Sequence, residues 1–363
     1  MSFQIRAIPF SGIVDYVSGQ DWKTAPVLPI TLERAHSQQN NPNASQENTC
    51  LWVAEDEEGE VLGFAGSLPA SDFYGTTGVA WNTCWWVDPV RGKETALPLF
   101  FSFLQQWDQR VAFADMTSHT HAIIQQLDFC HTREEELALV YLRMPAPKII
   151  AKLAWAGKIL SPLINFTSFL VNKSVQNRLE HHARDGDADL TVSIAHMDED
   201  IFSFVKAHRQ QDFVHRSLEE YRWIEEYPWL ITPDDSSREA LKNYPFSHLV
   251  KSFRQEWLIS CRNGVIVAVM FLSVRDGVLK ILSYFGNSSV DAMEALNRYV
   301  LGHKEVQVVI FAHPDLLEHK ETIRRISLKT TLRSRWVGVS KKIMDPFPNS
   351  MVIQLGDGDS AFT

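Results

Sequence analysis

The sequence predicts an α/β protein of two similar halves, each a mixed, mostly antiparallel sheet flanked by helices. Three observations carry that expectation. Short apolar, strand-like runs alternate with stretches of helical spacing along the chain. The order of those runs restarts after a charged stretch at 184–189. The 363 residues, 45% of them hydrophobic, are enough to bury two cores.

In the first half, 5–9 suits a first strand, and 13–17 and 30–38 read as helices. A polar loop at 39–48, rich in Asn and Gln, follows. Residues 51–54 and 61–68 form a hairpin around an acidic turn that closes on Gly59. Residues 78–87, rich in Trp, Thr and Val, make a third run ending at Asp88-Pro89. Over 95–110, Leu99, Phe103 and Trp107 recur four apart on one helical face, with Pro98 tolerated in the first turn. A buried strand at 111–115, a helix at 120–127 and a strand at 137–144 complete the half.

A helical connector at 148–180 mixes apolar and basic residues and leads to the hinge at 184–189. The second half then offers strands at 190–195, 257–260, 264–274, 278–285 and 306–311. Helices are expected at 201–210, 218–226, 289–303 and 316–326, and a late strand at 350–355. In the helix at 289–303, Met293, Leu296 and Val300 share one side. Trp52 precedes Gly59 by seven residues, as Trp257 precedes Gly264, and the later buried strands carry Phe113-Ala114 and Phe311-Ala312. The chain therefore divides into an N-terminal domain (1–147), a connector (148–188) and a C-terminal domain (189–363).

A formal net charge of −9 disfavours broad nucleic-acid binding. Cys50, Cys84, Cys130 and Cys261 form no CxxC pair and read as buried, reduced thiols, and no metal site is expected. The N-terminal residues lack a signal-peptide pattern, and the apolar stretch 148–171 is interrupted by Lys152, Lys158, Pro162 and Asn165. A cytoplasmic protein without a membrane span is expected, with its oligomeric state open.

The most informative stretch runs Trp86-Val87-Asp88-Pro89-Val90-Arg91-Gly92-Lys93-Glu94-Thr95-Ala96, between a strand and a helix. A loop entering a helix presents unsatisfied N–H groups at the positive end of the helix dipole, which suits a pyrophosphate. The stretch resembles the acetyl-CoA motif of the GCN5-related N-acetyltransferase (GNAT) family, V-x-P-x-[RQ]-x-x-G-x-[GA]. The order of elements extends that resemblance over nearly the whole chain, as a tandem GNAT protein. It implies that Val87 pairs with the pantetheine arm of acetyl-CoA, the acyl donor. It also implies that Arg91, Gly92, Lys93, Thr95 and Ala96 cradle the pyrophosphate. Glu94 stands where the family has Gly. The corresponding second-half stretch, Gly286 to Asp291, has no Arg, Lys or spaced glycines, and Ser289 reads there as a helix cap. No acetyl-CoA is expected in that half. Residues 216–223 and 356–362 are also similar to tandem GNAT-like proteins found near polysaccharide-biosynthesis genes.

The resemblance implies an N-acyltransferase in which a small amine, such as an amino sugar, amino acid or peptide amine, attacks a thioester directly. Asp115, at the end of the fifth strand, and His119, at the start of the next helix, are the catalytic candidates, with His121 beside them. The family's tyrosine acid falls here near Ile124. His208, Arg209, Asp212 and His215, with Arg216, are expected to bind the acceptor. His181-His182 reads as exposed, His313-Pro314-Asp315 as a helix start, and Asp357-Gly358-Asp359 as a terminal turn. Trp85, Trp86, Trp223 and Trp229 read as packing anchors. The alternatives are a catalytically inactive tandem GNAT-fold binding protein and a tRNA-dependent aminoacyl transferase.

Overall fold

A computed structural model describes residues 2–19, 25–70, 72–184, 189–232, 243–246 and 248–363. In chain order the strands are β1 (Gln4–Pro9), β2 (Thr49–Glu55), β3 (Val61–Ala70), β4 (Val79–Val87), β5 (Val111–Met116) and β6 (Cys130–Tyr141). They continue with β7 (Leu190–Ala195), β8 (Phe253–Arg262), β9 (Val265–Arg275), β10 (Val278–Gly286), β11 (Val308–Phe311) and β12 (Lys329–Ser340). The helices of the first half are α1 (Ile13–Ser18), α2 (Leu32–Gln39), α3 (Ala96–Gln106), α4 (Ser118–Leu127), α5 (Ala146–Lys152) and α6 (Ala154–Arg184). Then follow α7 (Glu199–His208), α8 (Leu218–Glu226), α9 (Ser289–Gly302), α10 (Pro314–Leu317) and α11 (Lys320–Ile326). The chain is thus mixed α/β. Of the hinge expected at 184–189, residues 185–188 lie outside the described residues.

The chain forms two compact units. Unit 1 comprises Met1–Glu135, Gln211–Phe253 and Arg335–Thr363, and unit 2 comprises Glu136–Gln210 and Arg254–Ser334. The division at 147 and 188 follows the sequence repeat, whereas the units follow the packing, so the two partitions differ. The strands of unit 1 run in the order β1-β2-β3-β4-β5-β12, and those of unit 2 in the order β7-β8-β9-β10-β11-β6. Each set is closed by a strand from the other half of the sequence. β12 pairs antiparallel with β5 (Trp336↔Met116, Gly338↔Phe113), and β6 pairs antiparallel with β11 (Val308↔Tyr141, Phe311↔Ala138).

In unit 1 the sheet is buried on both faces, which is why its strands read as apolar runs rather than as alternating ones. Alternate residues still go to different cores. Trp52 and Ala54 of β2 join Leu99, Phe100 and Phe103 of α3. Leu51 and Val53 join Phe10, Ile13 and Tyr16 on the opposite face. The core of unit 2 sets Met270 and Leu272 of β9 and Leu279 and Ile281 of β10 against Met293, Leu296 and Val300 of α9.

Two sequence expectations fail near the C-terminus. Residues 350–355 are not a strand. They form a buried apolar tail whose single bridge is Val352 with Asp212. The strand lies at Lys329–Ser340, where Lys329, Arg333 and Arg335 break the apolar pattern. Three smaller differences follow from local packing. The cap of α9 is Ser288, accepting from the Asp291 N–H, while Ser289 Oγ bonds His319 Nε2 at 2.8 Å. The helix expected at 316–326 is two short helices. Cys50, Cys84 and Cys130 are buried, but Cys261 is only partly so.

Candidate functional site

The site begins with a defect in pairing. β4 is antiparallel to β3 along its length, yet its parallel pairing with β5 is confined to Ala80↔Val111 and Trp81↔Ala112. Between Gly66↔Thr83 and Phe64↔Trp86 the register shifts, so β4 carries one extra residue. Such a bulge bends and twists its strand. Cys84 sits in it with φ 46°, and a Cβ at Gly66 would approach the Cys84 sulfur to 2.7 Å, so glycine permits the close approach. Beyond Trp81 the strands part around a cleft of about 310 Å³. Asn82–Val87 and Ala96 line one side, Phe113–Thr117, His119, Thr120 and Ile123 the other, and Asp359 also faces it. Asp115, at the mouth, is held in the left-handed region at φ 51°.

The buried tail ties the diverging strands together. Thr83 Oγ1 of β4 donates to Asp359 Oδ2 at 3.0 Å, and Ser360 Oγ donates to Asp115 Oδ2 at 3.2 Å. Behind Thr83 lies the buried Arg34 of α2. Its guanidinium donates to Thr83 Oγ1 and, at 2.9 Å, to the Tyr244 hydroxyl, and it lies 3.9 Å over the Trp229 ring. Trp229 stacks on Phe362 at 4.4 Å. Burial pushes the Tyr244 phenol up, with Arg34 opposing. Burial likewise pushes the Cys84 thiol up against the opposing pull of Arg34. Cys84 lines the cleft but stays a thiol, which makes it a poor nucleophile. Further along the tail, burial pushes the Asp357 carboxyl up to about 6 although Arg216 approaches it to 3.2 Å.

The loop after β4 is satisfied from within. Asp88 Oδ1 accepts the Val90 and Arg91 N–H groups at 2.8 and 2.9 Å, and these bonds hold its carboxyl below the usual range. The Gly92 N–H donates to the Asp88 carbonyl at 2.9 Å. Arg91 is gripped by Glu60 at 2.7 Å, with Asp56 at 3.6 Å and Asp88 at 3.9 Å. Gly92 packs so tightly that a Cβ would stand 2.1 Å from the Leu62 carbonyl, and Thr95 Oγ1 donates to the Gly92 carbonyl. Lys93 and Glu94 are exposed. The cleft, with Val87 and Ala96 in its wall, fits a thioester arm. The loop does not fit a pyrophosphate. Three of its N–H groups already serve Asp88, and its arginine is neutralised by carboxylates.

Of the residues singled out in the sequence, Asp115 and His119 come together on the cleft. His121 stacks on Trp336 at 3.8 Å with its Nε2 3.2 Å from Thr132 Oγ1, a structural placement. The four expected acceptor residues are divided. His208 and Arg209 belong to unit 2, where His208 Nδ1 meets the Phe204 carbonyl at 2.8 Å and Arg209 lies over Phe202. Asp212 and His215 belong to unit 1, where Asp212 accepts from Gln354 Nε2 and His215 packs near Tyr74. None of the four lines the cleft described above. Ile124, at the family's tyrosine position, is fully buried. Sequence reasoning missed Arg34, Thr83, Tyr244, Asp359 and Ser360. For Asp359 and Ser360 the one signal was their placing between an apolar run and the buried Phe362, and nothing local marked Arg34, Thr83 or Tyr244.

No protein-family model and no curated protein sequence matches the chain. Solved structures do. A conserved protein from Enterococcus faecalis, named as a candidate N-acyltransferase, is 11% identical with a TM-score of 0.52, over 94% of this chain and 74% of its own. A candidate acetyltransferase from Pyrococcus horikoshii is 12% identical with a TM-score of 0.50, over 99% and 96%. A tandem GNAT protein from the clavulanic acid biosynthesis pathway gives 12% and 0.48, over 93% and 97%. The chain shares the fold of the Enterococcus faecalis and Pyrococcus horikoshii proteins.

Proposed function

We propose that unit 1 is an N-acyltransferase site whose β4–β5 cleft takes the thioester arm of an acyl donor, acetyl-CoA in the first instance, and a small amine acceptor. The reading rests on one observation, the parting of β4 from β5 after Trp81 into a cleft bordered by carboxylates. Past Trp81, β4 does not pair with β5 among the described residues, so the backbone N–H groups it turns toward β5 can polarise an acyl carbonyl. Asp115 and Asp359 favour a cationic amine at the mouth, and Asp115 or His119 takes the proton released on attack. Direct transfer is the simpler path, because burial raises the Cys84 thiol and disfavours it as a covalent carrier. We read the chain as a tandem duplication over 1–147 and 189–363 joined by 148–188, with the second half lacking donor-binding capacity. The second reading is a catalytically inactive tandem GNAT-fold binding protein, favoured by the closed, carboxylate-caged loop at Arg91.

Calorimetric titration with acetyl-CoA separates the two. Saturable binding by the wild type, little changed in Arg91→Ala because that guanidinium is already neutralised by carboxylates, supports the acyltransferase. The double variant Asp115→Asn/His119→Gln should then abolish turnover while leaving donor affinity unchanged. Absence of binding in both proteins selects the binding-protein reading.

A further inference from the structure

The long helix of unit 2 carries an apolar face that its own unit does not cover. The C-terminal part of α6 is anchored conventionally, with Val175 and Leu179 buried in the core of unit 2. Its N-terminal part is the reverse. Ile159, Leu163, Phe166 and Phe169 are 68%, 62%, 61% and 60% exposed, and Leu160 and Leu170 are exposed too. Ile159, Leu163, Phe166 and Leu170 are spaced four, three and four apart, so they fall in one stripe along the helix. A contiguous stripe of large apolar side chains in water marks an interaction surface.

Charge identifies the partner. From Lys152 to Leu179 the chain carries Lys152, Lys158, Lys173 and Arg178 and no acidic residue, within a protein of net charge −9. Lys158 is exposed beside the start of the stripe, and Lys173 is exposed just past its end. Where the stripe ends at Leu170 a groove of about 680 Å³ opens, lined by Lys173, Arg178, His181, His182 and Arg325. Arg178 is held in place by the Arg325 and Ser327 carbonyls at 3.1 and 3.3 Å. An apolar helical face flanked by lysines and running into a basic groove has the layout of a helix lying in the plane of an anionic bilayer. A second copy of the chain would set like charges against each other along this face. No helix among the described residues is long and apolar enough to cross a membrane. We propose that α6 docks this protein peripherally on an anionic phospholipid surface, the stripe entering the acyl boundary and the basic groove receiving a lipid phosphate.

Vesicle flotation of the full chain tests the proposal. The wild type should float with phosphatidylcholine vesicles containing phosphatidylglycerol and stay behind with pure phosphatidylcholine. Leu163→Asp/Phe166→Asp should lose flotation. Lys158→Glu/Lys173→Glu should weaken it by at least roughly fivefold per lysine removed. All four positions are exposed, and an unchanged melting curve confirms folding. Three outcomes overturn the proposal: no flotation of the wild type, equal flotation of the apolar variant, or self-association of the wild type without vesicles that Leu163→Asp/Phe166→Asp removes.

Discussion

The junction β4–loop–α3 in unit 1 and its counterpart β10–loop–α9 in unit 2 start from the same construction. Both strands carry a register shift against their antiparallel neighbours, after Phe64 in one case and between Ile281 and Ser283 in the other. Both pair in parallel with the next strand. They then diverge in what fills the gap. In unit 1 the pairing stops after two residues and a cleft opens, bordered by Asp115, His119 and Asp359. In unit 2 it runs over Val278, Leu279 and Lys280, and beyond it Tyr284 meets His313 edge to face at 4.8 Å. A bulge alone therefore does not make a site. What lies past the paired residues decides it: in unit 2 Tyr284 packs on His313 there, whereas in unit 1 the tail bonds both strands through Asp359 and Ser360 beside the cleft.

The sharpest way to break the comparison is to remove the tail's anchor. Phe362 is buried against Trp223 and Trp229. Phe362→Ala should cost about 3–5 kcal/mol. Hydrogen exchange should show the loss of protection in β4 and β5 and leave β9 and β10 unchanged. Retention of protection in β4 and β5 would show that the tail is dispensable.

Next in size are opposite responses to pH. Burial raises the Asp357 carboxyl to about 6 in the folded protein. Its folded-state value lies above the unfolded one, so its contribution to unit 1 is full below about 4 and is lost as pH rises toward 6. The loss amounts to about 3 kcal/mol and should vanish in Asp357→Asn. Burial lowers His313 to about 4, with Asp315 opposing. Its contribution to unit 2 is present above about 6.5 and is lost as pH falls toward 4, by about 3 kcal/mol, and should vanish in His313→Gln. Denaturant melts of the two variants against pH, beside the wild type, would reveal the two slopes. Slopes of the same sign would refute the contrast.

The smallest effect concerns the bulge. Gly66→Ala should press on Cys84 Sγ and cost roughly 1–3 kcal/mol. It should also weaken ligand binding in the cleft, read by titration, because the displaced residue lines the wall. Unaltered affinity would separate the bulge from the site.

Much of the fold was legible because strand-length apolar runs separated by Gly-containing turns survive as local signals. β7 and α8 fall where the sequence puts them. β12 was hidden because its arginines are satisfied by partners distant in sequence, such as Glu135 for Arg335. The apolar run at 350–355 misled for the converse reason, since burial alone does not require a ladder. That Asp115 at the end of the fifth strand and His119 at the start of the next helix share one cleft was legible from the order of elements. Arg34, Tyr244 and Asp359 were not, because they lie far apart in the sequence and only folding brings them together.

The exchange of closing strands also sets a timetable for biosynthesis. β5 must wait for β12, whose pairing residue Trp336 is made long after its partner Met116. At ~5–20 residues per second, that leaves the β5 edge open for roughly 10–40 s on the ribosome. An open edge of that kind is a template for the wrong neighbour, so unit 1 should depend on holdase protection while nascent. For the same reason, a gene cut in the connector would yield two fragments that each lack a strand, and neither would be a domain.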